Sequence, residues 1–188
     1  MPADTDLAGV KVFKFDPAVD DAPRYAAYEV PYQGATVLQV LRRIYRQFDP
    51  LLAFRWGCEG AGDCRCGACA LLVNGRPALS CRKAAEAHMV IEPHFKFEII
   101  RDLVVDFNAV RKDIARAGDV PVKISIDPGK CVQCADCITL CPVGVYEARK
   151  GVIVASGPEY CCDETCRQCV TYCYQNAIQV KTVTSVHS

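Results

Sequence analysis

Cysteine thiols set at short, repeated intervals are metal ligands or disulfide partners, and this chain has three such runs. The first, "CEGAGDCRCGACALLVNGRPALSC" over residues 58–81, holds Cys58, Cys64, Cys66, Cys69 and Cys81. The second, "CVQCADCITLCP", holds Cys131, Cys134, Cys137 and Cys141, and the third, "CCDETCRQCVTYC", holds Cys161, Cys162, Cys166, Cys169 and Cys173. Together they contain all 14 cysteines of the 188 residues. The opening "MPADTDLAGVKVF" shows no charged segment leading into an apolar core, so no secretory signal is expected, and clustered thiols in a reducing compartment are metal ligands. A disulfide framework is the competing reading, and the spacings oppose it.

The second run is C-x2-C-x2-C-x3-C-P. In that pattern three thiolates from one tight loop hold three corners of a 4Fe–4S cube, and the fourth cysteine reaches a second cluster. The third run supplies the partner. Cys166, Cys169 and Cys173 keep the spacing, while Cys162 lies one residue further back than the regular pattern. The expected sets are Cys131, Cys134, Cys137 and Cys173 for cluster I, and Cys141, Cys162, Cys166 and Cys169 for cluster II. Asp163 stands where the regular spacing puts a ligand, and it and Cys161 are the alternatives to Cys162. Zinc sites pair two separate C-x2-C knuckles around one ion, which suits a twice-occurring triple run poorly.

In the first run, Cys66, Cys69 and Cys81 are three-quarters of a plant-type 2Fe–2S site, which ordinarily begins C-x4-C-x2-C. The first ligand is Cys58 or Cys64. A loop that wraps a cluster needs chain between its first two ligands, and one residue between Cys64 and Cys66 is short for that. The expected set is therefore Cys58, Cys66, Cys69 and Cys81. Gly57, Gly60, Gly62 and Gly67 leave the backbone free to bend and to aim N–H groups at sulfur. Cys64 and Cys161 are then free thiols.

These loops need a scaffold. "GVKVFKF" (9–15) alternates as a half-buried strand, and "YAAYEVPY" (25–32) reads as its hairpin partner. "TVLQVLRRIYRQFD" (36–49) reads as a helix with Thr36 as N-cap, Pro50 as stop, and Leu41, Ile44, Tyr45 and Phe48 on one face. "ALLVN" and "PALSC" flank a tight turn at Asn74-Gly75-Arg76. "HMVIEP" and "FEII" read as strands, and "LVVDFNAVRKDIA" as a closing helix. "ARAGDVPV" reads as a linker, with the boundary near residue 118: a 2Fe–2S domain over 1–117 and a two-cluster 4Fe–4S domain over 118–188. The second domain reads as a strand (122–126), a cysteine loop, a hairpin ("VYEA" and "GVIVA"), a second cysteine loop and a last strand (177–180), a twofold repeat. Its core is small, so bound metal must supply much of its stability. The expected fold class is α+β: a plant-type 2Fe–2S ferredoxin-like (β-grasp) domain, then a compact bacterial two-cluster ferredoxin-like domain.

Charge narrows the function. Lys and Arg number 22, Asp and Glu 22, and the balance holds on each side of residue 120, so the footprint of a nucleic-acid binder is missing. No apolar run reaches the ~18 residues of a membrane span. The expected location is cytoplasmic, with any membrane association made through partners. There is no G-x-G-x-x-G for a dinucleotide and no nucleophile–base pair. His88, His94 and His187 read as structural or surface residues, and Trp56, beside Cys58, as packing. The substrate chemistry then belongs to another chain.

The series "VKVFKFDP", "YEVPYQGATVLQVLRRI", "DPLLAFRWGC", "CGACALLVNGRPALSC" and "IIRDLVVDF" resembles, in order, the N-terminal half of the iron–sulfur subunit of succinate dehydrogenase and fumarate reductase, over about residues 10 to 107. The resemblance puts that family's 2Fe–2S ligands on Cys58, Cys66, Cys69 and Cys81, with a three-residue expansion between the first two. It implies a flavoprotein partner carrying FAD, so that electrons pass between that flavin and an external carrier or further redox subunit. The family's longer, helical C-terminal domain with its 3Fe–4S cluster and quinone site is not matched; the compact second domain resembles a bacterial two-cluster ferredoxin. A free-standing soluble carrier serving several enzymes is the alternative, although such carriers often bear a strong acidic field, which is missing here. A redox or iron sensor would need a DNA-binding segment that the sequence lacks.

Overall fold

The computed structural model describes residues 6–57, 67–111 and 122–183. Cys58, Cys64, Cys66, His187 and the expected boundary near residue 118 lie outside the described residues.

Alternation along LAGVKVFK forms β1 (Leu7–Lys14), with Ala8, Val10 and Val12 buried on one face. It pairs antiparallel with β2 (Arg24–Pro31). A hairpin of β3 (Ala70–Val73) and β4 (Arg76–Leu79) joins β1 through β5 (His88–Pro93), which is parallel to β1 and antiparallel to β3. The sheet order is β2-β1-β5-β3-β4. In the β3–β4 turn Asn74 and Gly75 have φ of 52° and 75°, the left-handed pair whose twist matches the flanking strands. Arg76 already belongs to β4.

The expected helix is α1 (Val37–Gln47), closed at its start by a capping box in which Thr36 Oγ1 accepts from Gln39 N and Gln39 Oε1 accepts from Thr36 N. Its buried face differs from the expected one. Val37, Val40, Leu41 and Ile44 are buried with Leu38, whereas Phe48 lies just past the last turn, exposed and packed beside Tyr28. The apolar core between α1 and the sheet comprises these valines with Leu41, Ile44, Leu71, Val73, Met89 and Ile91.

The closing helix expected from "LVVDFNAVRKDIA" is not formed where it is described. Residues 104–110 are a strand, β7 (Val104–Val110), paired antiparallel with β6 (Phe97–Arg101). Two β-branched valines open it, Val105 is buried and Phe107 half-buried two residues on, and Asp102 turns the chain with φ of 47°. Period two and a tight turn outweigh the helical spacing; the rest of that stretch lies outside the described residues.

The second half follows the expected order. β8 (Val122–Ile126) pairs antiparallel with the final strand, labelled below. Next come α2 (Asp136–Leu140), the hairpin β9 (Tyr146–Arg149) and β10 (Val152–Ala155), a 3-10 turn at Pro158–Tyr160, the short helices α3 (Asp163–Cys166) and α4 (Gln168–Thr171), and β11 (Ile178–Thr182). A second apolar core is built from both halves of the chain. Leu38, Cys69, Ala70, Leu79, Cys81, Phe97 and Val105 meet Val122, Val143, Val145, Tyr146, Ile153, Cys162, Ile178 and Val180. Side chains of this size each stabilise by about 1.5–3 kcal/mol on burial, so the two halves share one packed interior rather than a solvated contact.

A buried cation pins the first half. Lys14 Nζ donates to Asp102 Oδ2 and Asp49 Oδ2, each at 2.9 Å. Asp102 also accepts from Phe15 N at 3.0 Å and Ala53 N at 2.9 Å, tying β1, the segment after α1 and the β6–β7 turn together. Removing that carboxylate in Asp102→Ala deprives a buried ammonium of one partner and orphans two backbone donors. A loss of about 3 kcal/mol is expected from denaturant midpoints. The network also predicts two pH limits. Burial raises the Asp49 carboxyl, but the Lys14 and Tyr28 hydrogen bonds outweigh it and hold it below 3.8. Its contribution is full above that value and is lost as pH falls through the lower, folded one. Burial and then the Asp49 bond push the Tyr28 phenol up from 10.0 to about 12; that contribution is full below 10.0 and lost as pH rises toward 12. Thermal melts across pH should weaken at both ends, and less so in Tyr28→Phe at the alkaline one.

Candidate metal centres

Pairing of β3 with β4 sets Ala70 opposite Leu79, which brings Cys69 and Cys81 together at the open end of the hairpin. Their Sγ atoms are 3.2 Å apart, and both are buried and outside any disulfide. The hydrogen bond with Cys81 pulls the Cys69 thiol down to about 6 against the upward push of burial; the Cys81 backbone N–H and the Ser80 hydroxyl add to the effect. A thiol lowered in this way gives up its proton to a metal more readily, and the thiolate is the form that ligates metal. Just before them Gly67 has φ of 61°, and a Cβ there would sit 1.9 Å from Cβ of Pro142. Only glycine lets this loop close onto the second half.

In the second half one loop design occurs twice. Ala135, inside Cys134-x2-Cys137, has φ of 64°, and Arg167, inside Cys166-x2-Cys169, has φ of 49°. Each is the N-cap of a short helix, α2 and α4. Four residues after the last cysteine of each run a backbone N–H donates to its sulfur: Val145 N to Cys141 Sγ and Ala177 N to Cys173 Sγ, both at 3.3 Å. The intervening residues Gly144 and Asn176 both have positive φ, 60° and 49°, which turns those amides back onto sulfur.

The cysteines ring two cavities with largely apolar walls. One is lined by Cys131, Cys134, Cys137, Cys169 and Cys173, with Ile126, Leu140 and Ile153 among its walls. The other is lined by Cys141, Cys161, Cys162, Cys166 and Cys169, with Val143, Val145 and Val180. The members of each expected set line one cavity, but Cys169 borders both and Cys161 joins the second. Asp163 also borders that cavity, but its carboxylate accepts from Arg76 at 2.9 Å and from Thr182 Oγ1 at 2.6 Å. Tyr146 Oη donates to Cys169 Sγ at 3.0 Å.

Burial pushes these thiols up: Cys137 and Cys166 to about 11, Cys161 to about 12, with Cys162 and Cys169 raised as well. Left to themselves they hold protons, and only a cation in the cavity makes them thiolates. Iron–sulfur clusters fit this donor set, with four or more sulfurs per cavity, apolar walls and N–H or O–H groups aimed at sulfur. Bound there, they would supply one-electron transfer. The Ser80 hydroxyl is an independent sign at the first site. It is fully buried and makes no hydrogen bond among the described residues, and it lies beside the Cys69 thiol that it helps to lower.

The two described histidines, His88 and His94, differ in their surroundings. His88 is exposed at the start of β5, while His94 is fully buried. His94 Nδ1 accepts from Lys96 N at 3.3 Å, so Nε2 carries the proton it presents to Tyr160 O at 3.4 Å. Trp56 packs on Tyr45 and Phe54, and the Arg42 guanidinium lies 4.8 Å from its ring centre. Sequence reasoning missed Arg76, Arg82, Lys96, Ser80 and Tyr146. The one signal for Ser80 and Arg82 was adjacency to Cys81.

The family described as "2Fe-2S iron-sulfur cluster binding domain" matches residues 9–112, and that described as "4Fe-4S binding domain" matches residues 123–146. The chain is 37% identical over 110 residues to the fumarate reductase iron-sulfur subunit of Haemophilus influenzae, covering 56% of this chain and 42% of that protein. It is 32% identical over 155 residues to the fumarate reductase iron-sulfur subunit of Escherichia coli O6:H1, covering 71% and 62%. To the fumarate reductase iron-sulfur subunit of Mycobacterium tuberculosis it is 30% identical over 162 residues, covering 73% and 64%. The resemblance drawn from the sequence motifs is borne out, although the chain spans less than two thirds of the length of these relatives.

A sulfur acceptor for Ser80 predicts a redox effect. Ser80→Ala should retain the 2Fe–2S absorption and electron paramagnetic resonance signals yet shift that centre to a more negative potential, because an O–H donor favours the more negatively charged reduced state. Potentiometric titration reads it, and an unchanged potential would place the hydroxyl elsewhere.

Proposed function

Since the chain belongs to the family of 2Fe-2S iron-sulfur cluster binding domains and carries a 4Fe-4S binding domain behind it, we propose that it is the electron-transfer subunit of a flavin-dependent oxidoreductase resembling succinate dehydrogenase and fumarate reductase. Its ligand sets are Cys58, Cys66, Cys69 and Cys81 for the 2Fe–2S centre, Cys131, Cys134, Cys137 and Cys173 for 4Fe–4S cluster I, and Cys141, Cys162, Cys166 and Cys169 for 4Fe–4S cluster II. In this reading the first half, to a boundary near residue 118, is a β-grasp-like plant-type domain and the second a bacterial ferredoxin-like one. The partner is an FAD flavoprotein that performs the substrate chemistry, and an external one-electron carrier or further redox subunit stands at the other end. Among the described residues no helix is long and apolar enough to cross a membrane; the proposed location is cytoplasmic, with membrane contact made through partners.

One observation carries this reading. The Cys69–Cys81 pair, Cys137 and Cys173 of the first cavity, and Cys141, Cys161, Cys162, Cys166 and Cys169 of the second border a single apolar core, an arrangement suited to several redox centres held in fixed relation. The residues themselves bind, hold sulfur in place by N–H and O–H donors, and keep water out.

Anaerobic purification from the native cells, followed by flavin analysis and peptide identification, tests the proposal. A stoichiometric flavoprotein is expected to stay bound. Reduction of the clusters by that partner should change little with salt, because a permanent interface needs no long-range steering of an encounter. A brown protein arriving alone without flavin would favour the free-standing carrier.

A further inference from the structure

Resting on the ligand sets proposed above, we infer that the site of Cys141, Cys162, Cys166 and Cys169 is the direct neighbour of the 2Fe–2S site, and that the site of Cys131, Cys134, Cys137 and Cys173 is the far end of the relay. Chain order suggests the opposite, since the Cys131 run follows the first domain immediately. The contacts between the halves decide otherwise.

Four of them converge on the loops of the second cavity. Arg82, the residue after Cys81, donates from Nη1 to the carbonyl oxygen of Cys166 at 2.9 Å. A single side chain therefore spans from a 2Fe–2S ligand to a cluster II ligand. Arg76 of β4 pairs with Asp163 of α3 at 2.9 Å, next to Cys162. Gly67, two residues before Cys69, abuts Pro142, the residue after Cys141. Lys96 Nζ donates to the carbonyls of Val143 and Gly144 in the same loop.

The first cavity has a solvent-exposed edge. Cys134 is exposed, and so are its neighbours Val132 (54%) and Tyr174 (62%). A terminal centre needs such an edge, because exchange with an outside carrier requires close approach. Each transfer along this order moves one electron and breaks no bond. The partner's flavin is the two-electron donor or acceptor at one end, and a one-electron carrier stands at the other.

Electron paramagnetic resonance of the full, dithionite-reduced chain tests the order, because a paramagnetic neighbour speeds relaxation of the 2Fe–2S signal and the effect falls steeply with distance. Iron and sulfide are counted first. A chain without two 4Fe–4S clusters overturns the ligand sets, and this order with them. With the count satisfied, Cys166→Ser is expected to make the 2Fe–2S signal saturate at much lower microwave power, while Cys134→Ser leaves saturation nearly unchanged. The reverse pattern, or equal effects of both, overturns the order alone. Arg82→Gln keeps every ligand and covers the case in which Cys166→Ser fails to fold. It should shift the potentials of the 2Fe–2S centre and of the cluster II signal and leave the cluster I potential in place; a shift confined to cluster I overturns the order.

Discussion

A buried thiol is cheap and a buried thiolate is not, and the architecture answers that difference. Charge taken out of water costs several kcal/mol unless an opposite charge or hydrogen bonds replace the lost solvent. At Cys69 the fold supplies the replacement itself, through Cys81, a backbone amide and the Ser80 hydroxyl, and the thiol drops to about 6. In the second half the supply is thinner. One amide reaches Cys141 and another Cys173, and one phenol reaches Cys169, while burial still raises Cys137, Cys161, Cys162, Cys166 and Cys169. The remaining charge has to come from iron, so loading and folding of this half are one process.

That dependence explains why the halves share a core. The second half has strands of four or five residues and helices of four or five, too little secondary structure to enclose two cavities alone. Leu38 on α1, Leu79 on β4 and Phe97 and Val105 of the β6–β7 hairpin complete its interior. β3 is accordingly buried along its whole length: Leu71 and Val73 serve the first core, Ala70 the second.

Much of this was legible in the sequence, for definite reasons. Strands β8 and β11, the β9–β10 hairpin and the turn at Asn74-Gly75 announce themselves by period two and by residues that tolerate positive φ. Cysteine spacing pointed to thiols that do line two cavities, which Cys169 shares and Cys161 joins, while the expectation for Cys58 and Cys66 rests on spacing and resemblance. The closing helix was misread because Leu103, Phe107 and Val110 also fit a helical stripe; the turn at Asp102, fixed by partners on β1 and after α1, decided for a strand. Lys14 with Asp102, and Arg76 with Asp163, each lie almost ninety residues apart along the chain. No local pattern carries information at that range.

The irregular spacing of the third run then has a physical role. Laid onto each other, the repeats match Cys134 with Cys166, Cys137 with Cys169, Cys141 with Cys173, Ala135 with Arg167 and Val145 with Ala177, including the two left-handed N-caps and the two amide-to-sulfur bonds. The position matching Cys131 is Asp163. With the thiol moved back to Cys162, the carboxylate is turned to Thr182 on its own final strand and to Arg76 on the first half. A perfect repeat would place a fourth cysteine there and offer Arg76 nothing. The extra residue thus puts an anchoring carboxylate where the repeat would carry a cysteine, breaking the twofold symmetry at one of the points where the second half meets the first.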